Sequence, residues 1–240
     1  MISSETQQEL HTRFYPELEE TVFGAFERRL QDCLGHDAVV LDAGSGPGTW
    51  VLQEQRDRIR LLVGEDVYQP EDTSNLDRFV LASCDQLPFD DGTFDVVFSY
   101  LVIEHLPDPE GAFAEIRRVL KPGGYFCFKT PAVHTPLFLL AKVLPTALHK
   151  RLKSQIGTDE DDVFPTYYRA NSVRLLDRQL KAVGMTPRWV HTMDQTYAYM
   201  THNKWTYALG LMFSRCTQSR WLAFLRNQII GIYQRPEEMV

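Results

Sequence analysis

The sequence predicts an α/β fold, doubly wound around a mostly parallel sheet of seven strands. Three observations carry that prediction. Short β-rich runs alternate with helical patterns, as they do where strands are joined through helical crossovers. Leu61-Leu62-Val63 and Phe94-Asp95-Val96-Val97-Phe98 are the kind of run a sheet covered on both faces buries. Ala38-Val39-Val40-Leu41-Asp42 leads straight into glycines at 44, 46 and 48, then into a helix-like stretch. Glycines at such a junction let the backbone turn tightly and let a ligand approach where a Cβ would collide.

Taken in order, Leu18, Val22, Phe26, Leu30 and Leu34 recur at four-residue steps, which predicts a helix over 17–34 with Gly35 as its stop. Strands are expected at 38–42, 59–65, 78–82, 94–99 and 125–130, with helices at 49–57 and 109–120. Lys121-Pro122-Gly123-Gly124 reads as a helix exit, with a cation near the helix C-terminus. Residues 136–153 read as an amphipathic helix and 154–168 as a polar-to-aromatic loop. Asn171 or Ser172 can cap a helix with Leu176, Leu180 and Val183 facing inward and Gly184 ending it. Two more strands are expected at 186–193 and 228–235, separated by an aromatic, basic helical insertion at about 203–226.

At 240 residues, with 44% hydrophobic and 24% charged side chains, the chain is globular material with ample core. The N-terminal Met1–Glu9 is polar and acidic, unlike a signal peptide, and the apolar runs are too short to span a bilayer. Cys33, Cys84, Cys127 and Cys216 are scattered, which suggests reduced thiols, a cytoplasmic protein and no zinc site. The histidines show no metal-ligand spacing, so no metal is expected. Net charge is −7, against generic nucleic-acid binding, but it is uneven. Residues 1–162 carry 15 Lys/Arg and 28 Asp/Glu, whereas 163–236 carry 10 Lys/Arg against Asp177 and Asp194 alone. A basic C-terminal third invites an anionic partner.

The junction reads acidic-x-Gly-x-Gly-x-Gly: Asp42, Gly44, Gly46, Gly48, with Ser45 and Thr49 interspersed. The dinucleotide fingerprint would need glycine at 49, and Thr stands there, which argues against an NAD-type oxidoreductase. The pattern instead resembles the first motif of the class I, Rossmann-like S-adenosylmethionine-dependent methyltransferases. The resemblance extends through Ala82-Ser83-Cys84-Asp85-Gln86-Leu87-Pro88-Phe89-Asp90-Asp91-Gly92-Thr93-Phe94-Asp95, through Glu104-His105-Leu106, and through Glu115 to Gly124. It covers about residues 38–130, within the broad group that includes ubiquinone- and menaquinone-methylating enzymes.

That resemblance implies S-adenosyl-L-methionine as cofactor and an antiparallel last strand. It implies one domain over 1–240: a helical cap at 1–37, a cofactor-binding half at 38–135 and a substrate-side half at 136–240. Asp42 and the loop carbonyls would accept from the methionine amine, and Asp66 (or Glu65) from the ribose hydroxyls. The family's adenine-contacting Asp aligns with Ser83, so Ser83, the Cys84 backbone and Asp85 become the adenine candidates. Tyr100 lies where the family's chain passes the methionine portion.

His105 is the titratable candidate near the transferred methyl, either as a base or as a local hydrogen-bonding residue. His134, Tyr167, Tyr168 and Arg169 are candidate substrate contacts. The expected activity is methyl transfer to a small or lipid-linked acceptor at oxygen, carbon or nitrogen, in that order. A catalytically silent relative is the alternative; no Asn/Asp-Pro-Pro-Tyr motif points to nucleic acid. The 203–226 insertion reads either as a lid over the sheet or as an interfacial helix giving peripheral membrane contact.

Overall fold

A computed structural model describes residues 2–15, 21–133 and 165–237. Among them a seven-stranded sheet runs in the order β3-β2-β1-β4-β5-β7-β6. The strands are β1 (Ala38–Ala43), β2 (Ile59–Asp66), β3 (Arg78–Leu81), β4 (Phe94–Tyr100), β5 (Leu120–Pro131), β6 (Thr186–Met193) and β7 (Gln228–Gln234). The helices are α1 (Ser4–Phe14), α2 (Val22–Leu34), α3 (Trp50–Gln53), α4 (Pro109–Val119), α5 (Val173–Ala182) and α6 (Lys204–Cys216). β1 pairs in parallel with β2 and β4, β2 with β3, and β4 with β5. Gly123 donates to the Arg235 carbonyl and Arg235 to that of Gly124, at 2.9 Å each. Ala132 donates to the Asn227 carbonyl at 2.8 Å. The start of β5 thus meets the end of β7, so the last strand runs antiparallel.

The chain divides into two compact units. The sheet-bearing unit comprises Phe26–Pro131, Thr166–His191 and Ile230–Val240. Its order reverses at β1, where β2 lies on one side and β4 on the other, and that switch point places ligands over the strands' carboxyl ends. All six residues of β1 are buried. Phe94, Phe98, Phe113, Phe126, Phe128 and Tyr233 are fully enclosed, and neighbouring rings such as Phe126 and Phe128 approach to 5.1 Å. The helical unit comprises Met1–Ala25, Ala132–Pro165 and Thr192–Ile229. Among its described residues Tyr15, Tyr207 and Leu211 form a core cluster, flanked by Ile2, Leu10, Phe14 and Tyr197.

Several expectations change. α1 lies within the helical cap expected at 1–37 but ahead of the helix expected at 17–34: Ser3 caps it by accepting from the Thr6 amide at 3.3 Å, with Glu5 in its first turn. The helix expected at 49–57 ends at Gln53, and a 3-10 turn follows at Arg56–Arg58. No apolar residue stands between Leu52 and Ile59, so nothing would hold a longer helix on the sheet. Lys121–Gly124 belong to β5, because Phe94 pairs with Leu120 and draws the chain into the sheet directly after α4. The 203–226 insertion is two pieces, α6 and a 3-10 turn at Arg220–Leu225. The helix expected at 136–153 lies outside the described residues.

Candidate functional site

The carboxyl ends of β1, β2, β4 and β5, all in the sheet-bearing unit, carry the candidate residues. After β1 the backbone takes left-handed conformations at Gly44 (φ 73°), Gly46 (φ 49°) and Gly48 (φ 105°). Gly44 is obligatory, since a Cβ there would lie 2.3 Å from Val102 Cγ2. At Gly46 a Cβ would meet nothing within 4 Å, so the loop presents bare backbone to open space. Asp42, wholly buried, closes the loop: it accepts from the Thr49 amide at 2.8 Å and the Thr49 hydroxyl at 2.9 Å. Burial pushes its carboxyl up to about 6, against the opposing pull of the Thr49 bonds. Both its oxygens are thus engaged by Thr49, and Ser45 Oγ donates to the Gly46 carbonyl at 3.1 Å.

β2 supplies two acids with different surroundings. The Glu65 carbonyl accepts from the amides of Gly44 and Ser45, at 2.8 Å each. Its side chain points into the protein, where Oε2 accepts from the Cys84 thiol at 3.3 Å and Oε1 is buried without a partner. Burial pushes that carboxyl up to about 7 and the Cys84 thiol up as well. Asp66 is half-buried and turned towards the glycine loop, accepting from the Gly46 amide at 2.9 Å and the Tyr68 amide at 3.1 Å. A carboxylate has about four acceptor positions, so capacity remains for further donors.

Beyond β3, Ser83 and Asp85 are half-buried and Cys84 is buried. The Ser83 carbonyl accepts from the Gln86 amide at 2.8 Å, which makes a tight turn. The loop that follows is held by Arg118 of α4, which donates to the carbonyls of Phe89 (2.7 Å) and Leu87 (2.9 Å) and to Glu115 (2.7 Å). Glu115 in turn accepts from the Leu87 amide at 3.0 Å. The two distant motifs of the resemblance are therefore one clamp.

At the ends of β4 and β5, Tyr100 and Lys129 are register partners. Lys129 Nζ donates to the Tyr100 hydroxyl at 2.8 Å and lies 4.4 Å from its ring centroid. Lys129 is only 3% exposed, and burial pulls its ammonium down to about 8, a little offset by Glu104. Sequence reasoning missed this residue. The available signal was a lysine ending the apolar run Phe126-Cys127-Phe128, where a charge is costly unless it is used. Leu101 follows β4 in a left-handed conformation (φ 60°), its amide fixed by the Lys129 carbonyl at 2.8 Å. A β-carbon in that region stores strain, and such strain clusters at functional sites.

His105 ends a 3-10 turn, half-buried beside the buried Glu104. Glu104 Oε2 accepts from Thr130 at 3.0 Å, and Asn171 reaches Thr130 at 2.6 Å and the Pro131 carbonyl at 3.0 Å. The Glu104 carbonyl accepts from the amides of Tyr167 (2.8 Å) and Tyr168 (3.1 Å). Arg169 donates to the Pro107 carbonyl at 2.5 Å and stacks over Tyr167. The structure thus gathers Tyr167, Tyr168 and Arg169 around the turn bearing His105. His134 lies outside the described residues.

These residues fit S-adenosylmethionine: an uncovered glycine backbone, and a carboxylate with spare acceptor positions one strand away. Among the described residues no cluster of His, Cys, Asp or Glu could hold a metal ion. No described helix is long and apolar enough to cross a membrane.

Residues 41–128 match the model of the family described as "Methyltransferase domain". An uncharacterized methyltransferase of Schizosaccharomyces pombe is 36% identical over 107 residues, 38% of each chain. The ubiquinone/menaquinone biosynthesis C-methyltransferase of Idiomarina loihiensis is 32% identical over 114 residues, 41% of this chain and 45% of that one. The chain thus spans less than half the length of these two relatives. Among solved structures, geranyl diphosphate C-methyltransferase from Streptomyces coelicolor superposes with a TM-score of 0.58 at 17% identity, over 97% of this chain and 85% of that one. This last likeness is one of fold.

Proposed function

We propose that this chain, which carries a class I S-adenosylmethionine-dependent methyltransferase domain, methylates a lipophilic acceptor at a nucleophile that loses a proton. The observation that carries the reading is the link between Gly46 and Asp66. It gathers a bare loop and an acid of the neighbouring strand at the switch point of the sheet. When bound, the cofactor supplies a methyl group already activated on a sulfonium. Little remains for the protein beyond holding the acceptor in line and removing its proton.

In this reading Asp66 accepts from the ribose hydroxyls, while Asp42, Gly44, Ser45, Gly48 and Thr49 keep the loop open for the methionine portion. Ser83, the Cys84 backbone and Asp85 face the adenine. Tyr100 and Lys129 handle the proton. As the acceptor's O–H or C–H bond breaks, its proton passes to the Tyr100 oxygen, and the tyrosine's own proton passes to the neutral Lys129 amine, leaving an ammonium. An amine lowered to about 8 is matched to that task near neutral pH. His105 is the second candidate base, and Tyr167, Tyr168 and Arg169 border the acceptor. The ubiquinone/menaquinone biosynthesis named for one relative supports a lipophilic acceptor.

Calorimetry with S-adenosylmethionine, S-adenosylhomocysteine and NAD tests the cofactor assignment; binding of NAD alone would reject it. Transfer of labelled methyl into a lipid extract tests the activity. Cofactor binding without any transfer would make the chain a silent relative.

A further inference from the structure

We propose that the helical unit docks on an anionic lipid surface through the outer face of α6 and the turn that follows it. α6 is capped by Asn203, which accepts from the amides of Trp205 and Thr206 at 3.0 Å each. It buries Tyr207, Gly210, Leu211 and Ser214. The opposite side is not polar, as a solvated helix face would be. It carries Trp205 (76% exposed), Leu209 (52%) and Met212 (50%), spaced four and three residues apart and so aligned in one stripe. The next turn adds Trp221 (88%) and Phe224 (60%). Five large apolar side chains left in water within twenty residues are a cost that a partner must offset.

Charge selects the partner. From residue 195 to residue 236 there is no acid, and Lys204, Arg215 and Arg220 are exposed among the aromatics. Lys204 sits over the Trp205 ring at 5.3 Å. Among the described residues of this unit the acids lie elsewhere: Asp194 is buried and accepts from Thr196 at 2.7 Å. Glu5 and Glu9 lie on α1, which packs on the buried side of α6. Tryptophans and leucine with cations and no acid form a surface suited to the boundary between anionic headgroups and acyl chains. The inference stands on this face alone and does not need methyl transfer.

The full chain is mixed with vesicles of phosphatidylcholine, with or without phosphatidylglycerol, and followed by co-sedimentation and tryptophan emission. The expected result is binding to the phosphatidylglycerol vesicles, a blue shift of the emission, and release by salt. Trp205→Ser with Trp221→Ser should lower partitioning about tenfold or more, at unchanged melting temperature because both side chains are exposed. Lys204→Gln with Arg220→Gln should lower it about fivefold per charge at low salt. Failure to bind, or equal binding to both vesicle types, overturns the proposal. So does binding that the tryptophan changes leave intact. A dimer in solution that the same tryptophan changes dissolve would assign the face to a second copy of the chain, and would overturn it too.

Discussion

The two units weight their aromatic residues differently. In the sheet-bearing unit the enclosed rings include Phe94, Phe98, Phe113, Phe126, Phe128 and Tyr233, with Phe128 packed on both Phe126 and Tyr233, while Trp50, Tyr68 and Tyr167 remain exposed. In the helical unit the described residues form a small cluster around Tyr15, Tyr207 and Leu211. There Trp205, Trp221 and Phe224 are left facing out. What the first unit buries is polar and chemical as well, namely Asp42, Glu65, Glu104 and Lys129. What the second exposes along α6 and the turn after it is apolar and cationic, with no acid. On the two proposals made above, one region would hold a reaction in a protected place and the other would meet something larger than a substrate.

That contrast breaks most sharply at the glycine loop. Gly46→Arg should abolish S-adenosylmethionine binding in calorimetry, since the side chain fills the open space above the loop at a left-handed backbone position. Unchanged affinity would remove the sheet-bearing unit from cofactor binding altogether. Next is Lys129→Met, which should lower kcat about 10²–10⁴-fold and leave cofactor affinity unchanged. In the parent protein kcat should rise as pH increases through about 8, because only the neutral amine can take the proton. The variant's profile should lose that limb, whereas retention of the limb would show that Lys129 is not the group that takes the proton.

Leu211→Ala tests the helical unit. It should cost about 2–5 kcal/mol in denaturant unfolding without changing cofactor affinity, and an equal loss of affinity would erase the functional division between the units. The smallest effect concerns the buried acids. Asp42 and Glu65 have carboxyls raised by burial, so between about pH 4 and pH 7 these two groups hold more protons in the folded chain than in the unfolded one. Their contribution to stability should therefore fall as pH rises through that window, and Glu65→Gln should flatten the slope measured by thermal melts. An unchanged slope would mean that Glu65 is ionised throughout.

The sequence made the sheet-bearing unit legible because its rules are local. Five apolar runs, a glycine-rich junction and the Ser172 cap specify elements without reference to distant residues, and β6 runs over the expected 186–193. The site was legible only as positions. That Asp42 would spend both oxygens on Thr49, or that Glu65 would turn inward to Cys84 while Asp66 reached Gly46, depends on register between strands. Lys129 shows the limit most clearly. Its significance lies in a partner 29 residues earlier on the adjacent strand, a relation no single-strand pattern encodes. The helical unit was harder to read because α1 rests on a short polar cap, and because α6 has apolar residues on two sides, which blurs its periodicity.

Position 129 also separates architecture from chemistry within a single residue. Its carbonyl pins the turn after β4 through the Leu101 amide, and every amino acid brings that oxygen. Its amine alone speaks to the Tyr100 hydroxyl. Selection, or a designer, can therefore exchange the side chain without touching the oxygen that shapes the turn, so the proton chemistry proposed for this strand end is separable from the scaffold that carries it.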